Sequence, residues 1–300
     1  MLLLGHKPLL TQLRQELAGP VAGRSYLFTG PQAVGKFQAA IQIAKELVGE
    51  EGFEYGENIH YPADVFVVEP TVAEKDGKKK QKGISVETLR EAIGFLSRYP
   101  SKGKYRICII REAQSLSREA QNILLKTLEE PPVSALIILV SHEPGGLLAT
   151  VRSRLQERAF TLVSSEELSV AYPEKWLEQY NIPVFFRNFG RPGILVNAKN
   201  NPEDFQRKKK MLSELYTMSR LSTRARLDLA EDLAANVPEA VELLEWWVTG
   251  LRMQTQTESK PRKAAKTYIF IESILEVICD LKSTQGNAKL LLEQLFFQIR

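Results

Sequence analysis

The rhythm of apolar and polar positions changes near residue 160. Before it, short runs at 26–28, 64–68, 106–110 and 135–140 are apolar at almost every position. Such runs predict strands buried on both faces. Between them lie segments with helical spacing: Leu9, Leu13 and Leu17; then Phe37, Ala40, Ile41, Ala44, Leu47 and Val48; then Leu89, Ile93 and Leu96 behind a Ser85 cap; then 117–129, closed by Glu130, Pro131 and Pro132. Strands alternating with helices predict an α/β core with a parallel sheet covered on both faces. Beyond Phe160 the strands stop. Residues 164–205 read as short helices with several breakers, and 203–218, 223–235, 238–255, 264–282 and 286–299 as longer helices. The basic run at 257–266 reads as a loop between two of them.

Composition narrows little. Net charge is +4, too small to imply nucleic acid unless it clusters. Residues 74–83 hold five lysines and read as a loop, either a solvated surface or a contact to a nucleic-acid backbone. Arg207-Lys208-Lys209-Lys210 reads as a solvated helix face. Two cysteines, Cys108 and Cys279, and histidines at 6, 60 and 142 make no metal-ligand spacing. Cys108, inside an apolar run, reads as a buried thiol. The Met-Leu-Leu-Leu start is too short for a signal peptide or a membrane span, and a cytoplasmic location is expected.

The candidate chemistry begins between the first strand and its helix. Gly30, four residues, Gly35-Lys36 fit the spacing of a phosphate loop, in which glycines let backbone N–H groups wrap an anion and the lysine adds a full charge. The next position needs a hydroxyl for Mg²⁺, and here it is Phe37. Lys36 can serve as a phosphate contact, or merely cap a helix or pair with Glu112.

Residues 107–132 add a second signal. Ile107-Cys108-Ile109-Ile110-Arg111-Glu112-Ala113-Gln114, then the segment ending Leu124-Leu125-Lys126-Thr127-Leu128-Glu129-Glu130-Pro131-Pro132, resemble the AAA+ clamp-loader subunits of bacterial DNA polymerase III. Leu147 to Arg154 resembles the family's Ser-Arg-Cys segment and its lead-in, and Asn287 to Leu295 its last collar helix. The resemblance implies an AAA+ core over 1–163, a helical lid over 164–203 and a helical collar for oligomerisation over 204–300. It implies that Arg154 is an arginine finger acting in trans, that Ser141 and Arg191 occupy sensor positions, and that the acidic strand-end pair is degenerate as Arg111-Glu112.

Losing both Mg²⁺ contacts, at Phe37 and Arg111, points away from the motor subunits (gamma and tau) and toward the delta prime branch. That branch implies no intrinsic ATPase and no required cofactor, with residual ATP or phosphate binding left open. Implied partners are gamma/tau and delta subunits in a hetero-oligomeric ring, with the sliding clamp and primed DNA reached through the complex. Residues 47–63 lack the cysteines of the family's zinc module, so no zinc is expected. Two rival readings are an active clamp-loader ATPase and a P-loop nucleotide kinase. Trp246 and Trp247 are adjacent on an expected helix, one for the core and the other for a subunit interface.

Overall fold

The apolar runs pair side by side. In this computed structural model, residues 3–20, 22–49, 51–53, 60–75, 78–218, 220–258, 261–283 and 287–298 are described, with backbone alone at 72–75, 78–82, 256–257 and 283. The chain divides into two compact units: Met1–Glu174 with Gly190–Gly193, and Lys175–Phe189 with Ile194–Arg300.

The first unit is built on a five-stranded sheet. Its strands are β1 (Arg24–Thr29), β2 (Val65–Val68), β5 (Arg106–Ile110), β6 (Ala135–Val140) and β7 (Gln156–Ala159), in the order β2-β5-β6-β1-β7. Every pairing among them is parallel. Side chains alternate between the two faces, as a pleated strand requires. Tyr26, Phe28, Ile107, Ile109, Leu136 and Ile138 pack with α1 (Lys7–Ala18) and α2 (Lys36–Val48). Leu27, Cys108, Ile110, Ile137 and Leu139 face the other way, toward α3 (Val86–Leu96), α4 (Arg118–Glu129) and the short α5 (Ala149–Arg152). The Cys108 thiol is buried, and burial pushes its pKa up to about 12. Ser85 caps α3 by accepting from the Thr88 N–H at 3.2 Å.

Three sequence expectations change. Residues 74–83 are not a loop: β3 (Thr71–Lys75) and β4 (Lys78–Lys82) form an antiparallel hairpin. Residues 76 and 77 of that stretch, and the side chains of its lysines, lie outside what is described. β7 is an added strand that apolar patterning does not signal. The loop expected at 257–266 is largely helix, because α12 begins at Pro261.

The second unit is helical: α7 (Glu174–Gln179, opening at the unit boundary), α8 (Pro192–Asn200, whose first two residues belong to the first unit), α9 (Pro202–Met218), α10 (Thr223–Ala234), α11 (Val237–Thr257), α12 (Pro261–Ser283) and α13 (Ala288–Phe297). α6 (Ser165–Ala171) belongs to the first unit. Trp247 is fully buried and donates its indole N–H to the Met211 carbonyl at 2.8 Å. Trp246 packs near Phe186 and Phe189, at centroid distances of 6.3 and 6.2 Å. Arg207 pairs with Asp204 and Glu242, and Lys208 with Asp204, so this part of the basic run is neutralised within the helices.

Candidate functional site

The turn from β1 into α2 is the centre of the site. Gly30 has φ 126°, and a Cβ there would lie 2.0 Å from the Phe160 carbonyl oxygen, so only glycine fits. Gly35, at φ 105°, stands at the N-cap of α2. Lys36 curls back over the turn and donates to the carbonyls of Gly30 at 2.7 Å and Pro31 at 2.6 Å. It is only 6% exposed. Burial drives its pKa down to about 8; the Glu112 carboxylate opposes this shift, and the Arg191 guanidinium adds to it. The loop is gripped at two more carbonyls: Gly193 N–H donates to Ala33 at 2.9 Å, and His6 Nε2 lies 3.1 Å from that of Val34.

The two positions that depart from the family pattern meet. The Arg111 guanidinium carbon lies 5.0 Å from the centroid of the Phe37 ring, and Arg111 Nη1 donates to Glu69 at 2.8 Å. A ring and a guanidinium offer a divalent cation no oxygen ligand, and the guanidinium repels it. Among the described residues, no group of three or more His, Cys, Asp or Glu could hold a metal ion.

Glu112, beside Arg111, is held in left-handed backbone at φ 53°. Burial pushes its carboxyl up, but hydrogen bonds from His142 and Gln114 and the nearby charges of His142 and Arg111 outweigh burial, so its pKa is lowered. His142 Nδ1 lies 2.9 Å from Glu112 Oε2 and also 2.9 Å from Gln114 Nε2. With a proton on Nδ1 the ring donates to the carboxylate, which is the arrangement that lowers the Glu112 pKa; a neutral ring protonated only on Nε2 would instead accept from the amide. Gln114 also donates to Glu112. Ser141, buried at the end of β6, donates to Gln114 Oε1 at 2.8 Å. The expected sensor serine thus joins Glu112 through Gln114. Sequence reading missed the roles of Gln114 and His142: Gln114 stands only two residues from Glu112, where a polar residue in a turn gives no sign of its partner, and His142 reaches Glu112 through the fold.

Arg154 belongs to a separate cluster. It follows α5, which is tied to α4 by Gln121: the Leu148 N–H donates to Gln121 Oε1 at 2.7 Å, and Gln121 donates to the Gly146 carbonyl at 3.1 Å. Arg154 Nε and Nη2 donate to Glu129 Oε1 at 3.0 and 2.6 Å, and Nη1 to the Thr150 carbonyl at 2.8 Å. The structure therefore brings together Gly30, Gly35, Lys36, Phe37, Arg111, Glu112, Ser141 and Arg191, and sets Arg154 apart with Glu129.

Residues 5–163 match the model of a family described as DNA polymerase III, delta subunit. The chain is 30% identical over 181 residues to DNA polymerase III subunit delta' of Pseudomonas aeruginosa, covering 54% of this chain and 53% of that one. It is 30% identical over 158 residues to subunit tau of Escherichia coli, covering 50% of this chain and 23% of that one. The chain thus spans about half the length of the first relative and about a quarter of the second. A gamma subunit-related protein from Thermotoga maritima overlays with a TM-score of 0.49 at 18% identity, covering 97% of this chain and 99% of that one.

Proposed function

Because this chain belongs to the DNA polymerase III, delta subunit family, we propose that it acts in the clamp loader as a delta-prime-type subunit that does not itself hydrolyse ATP. The observation carrying this reading is Arg111 lying over Phe37 at 5.0 Å. Phosphoryl transfer on a phosphate loop uses Mg²⁺ held by a hydroxyl and a carboxylate, to bridge phosphate oxygens and neutralise developing charge. Here a benzyl ring and a cation stand at those two places. No cofactor is required in this reading, zinc included, and any phosphate bound at Lys36 is bound without turnover.

In the same reading Arg154 reaches ATP held by a neighbouring gamma or tau subunit, where a planar fork of donors stabilises charge on the departing phosphoryl group. The partners are gamma/tau and delta subunits, with the clamp and primed DNA engaged through the whole assembly in the cytoplasm. The division into core, lid and collar is part of this proposal. No described helix is long and apolar enough to cross a membrane.

A second reading, an active tau- or gamma-like ATPase, is favoured by the presence of Lys36 and Glu112 and by the 30% identity to tau. One assay separates the two. The purified chain should hydrolyse Mg²⁺-ATP no faster than background. Turnover above background that disappears in Lys36→Ala would overturn the proposal in favour of the motor reading.

A further inference from the structure

We propose that Glu129 is the positioning residue for Arg154, holding its guanidinium oriented at the surface for an anion on another chain. This rests on the reading of Arg154 as a residue acting in trans.

Three observations carry it. The first is the pattern of donors. A guanidinium has five N–H groups. Glu129 Oε1 takes one from Nε and one from Nη2, on one edge of the fork. The Thr150 carbonyl takes one from Nη1, and the Ser153 hydroxyl lies a long 3.4 Å from the same nitrogen. The side chain is thus gripped on two sides while donor capacity remains on Nη1 and Nη2, the nitrogens that meet a phosphate in a forked contact.

The second is where Glu129 stands. It is the last residue of α4, with Glu130 following as the C-cap. A carboxylate at a helix C-terminus faces the negative end of the helix dipole, so local helix stability gives no reason for it. The Arg154 charge compensates it across 25 residues of sequence.

The third is exposure. The side chains of Arg154 and Glu129 are 34% and 50% exposed. Ion pairs this open contribute little to stability, because water and salt screen them. The pair is too weak to serve as a clasp for the fold, but it restricts the rotamers of a long side chain. Fixing that geometry before the anion arrives is what a positioning residue supplies. The base of the arrangement is rigid: Leu124 and Leu128 of α4 and Val151 of α5 are buried in one cluster.

The test uses the full chain reconstituted with its clamp-loader subunits, comparing Glu129→Ala, Glu129→Gln, Arg154→Ala and the double variant Glu129→Ala/Arg154→Ala. Assembly and melting temperature should match wild type in all four. Glu129→Ala should lower kcat of the complex on the order of tenfold, with the KM for ATP unchanged. Glu129→Gln, which keeps an acceptor oxygen, should recover part of the loss. The double variant should be no slower than Arg154→Ala, because Glu129 acts only through Arg154. Undiminished or raised turnover in Glu129→Ala, beside a clear loss in Arg154→Ala, would overturn the positioning role and leave the finger reading standing. Additive losses in the double variant would also overturn it. Full activity in Arg154→Ala would remove the finger reading itself, and this inference with it.

Discussion

At Lys36 charge and burial are in conflict, and the conflict has a measurable sign. Burial lowers its pKa from the ordinary 10.5 to about 8. Between those values the unfolded chain holds a proton that the folded chain has released, so stability rises with pH across that window. Below about 8 both states are protonated and the full penalty remains; the relief is on the order of 3 kcal/mol. Two groups act in the opposite sense. Burial raises Cys108 to about 12, and burial with the Glu16 carboxylate raises Tyr26 to about 12, so each weakens the fold as pH climbs past its unfolded value. The clean measurement is therefore a difference: urea unfolding of wild type minus Lys36→Met, from pH 7 to 10.5. The difference should grow in favour of wild type with pH, and a flat difference would mean that Lys36 is not held buried and charged. Much of this site is legible in sequence, because Gly30, Gly35, Lys36 and Phe37 are contiguous and Arg111-Glu112 ends an apolar run. Its other half is not. His142 and Ser141 reach the Glu112–Gln114 turn only because β5 and β6 are neighbours, and a lone histidine carries no sign of such a contact. Glu129 is likewise joined to Arg154 only by the packing of α4 on α5.

Among the elements, buried strands were readable and marginal ones were not. β6 is buried at all six positions, and its continuous apolar run announces it. β7, Gln-Glu-Arg-Ala, lies at the sheet edge with three of its four residues exposed, so no apolar pattern marks it. The β3–β4 hairpin is invisible for a related reason, since a lysine-rich run has no alternation to read. The start of α12 was mistaken for a loop because it is basic, yet Lys and Arg are good helix formers and Pro is tolerated in a first turn. The connection between α3 and β5 supplies an element-scale prediction. The buried Asp64 carboxylate accepts from the N–H groups of Ser101, Lys102 and Gly103 at 2.7, 2.8 and 3.2 Å, with Arg106 at 3.7 Å. Burial pushes its pKa up, but those donors and the Arg106 charge outweigh burial and hold it below its ordinary 3.8. Asp64→Ala should therefore destabilise the protein by about 3 kcal/mol, since it strands several backbone donors, and Asp64→Asn by less. The carboxylate's contribution is present at neutral pH and is lost as pH falls through the lowered pKa, so Asp64→Asn should unfold less steeply in acid than wild type. Equal acid profiles for the two would show that the turn does not depend on the charge.

At the scale of the whole molecule, each compact unit carries its own core, and each leaves some large apolar side chains exposed. The helical unit closes around Trp247, Leu243, Leu244, Ile274 and Phe296, while Phe186 meets Phe189 and Phe205 at 5.2 and 4.8 Å. With that interior satisfied, large apolar side chains still face out from its helices: Tyr268, Ile269, Leu275, Leu290 and Phe297. Scattered apolar exposure is ordinary on any surface. The five on α12 and α13 lie within the stretch proposed as the collar, of which Asn287 to Leu295 carries the resemblance, and they are where an assembly contact is tested first. Ile269 is 63% exposed and Leu290 50%. Replacing both with glutamate removes little buried area within the chain, so the isolated protein should melt within about 0.5 kcal/mol of wild type. A carboxylate pressed into a subunit interface must lose its water, and unless it finds a partner that loss opposes docking. The double variant should therefore stay folded yet be depleted when clamp-loader subunits are co-purified, and complex ATPase should fall with the amount assembled while the rate per assembled complex is unchanged. Co-purification at wild-type stoichiometry would mean that these two positions face solvent in the assembly, and the collar contact would have to lie on another face of the helices.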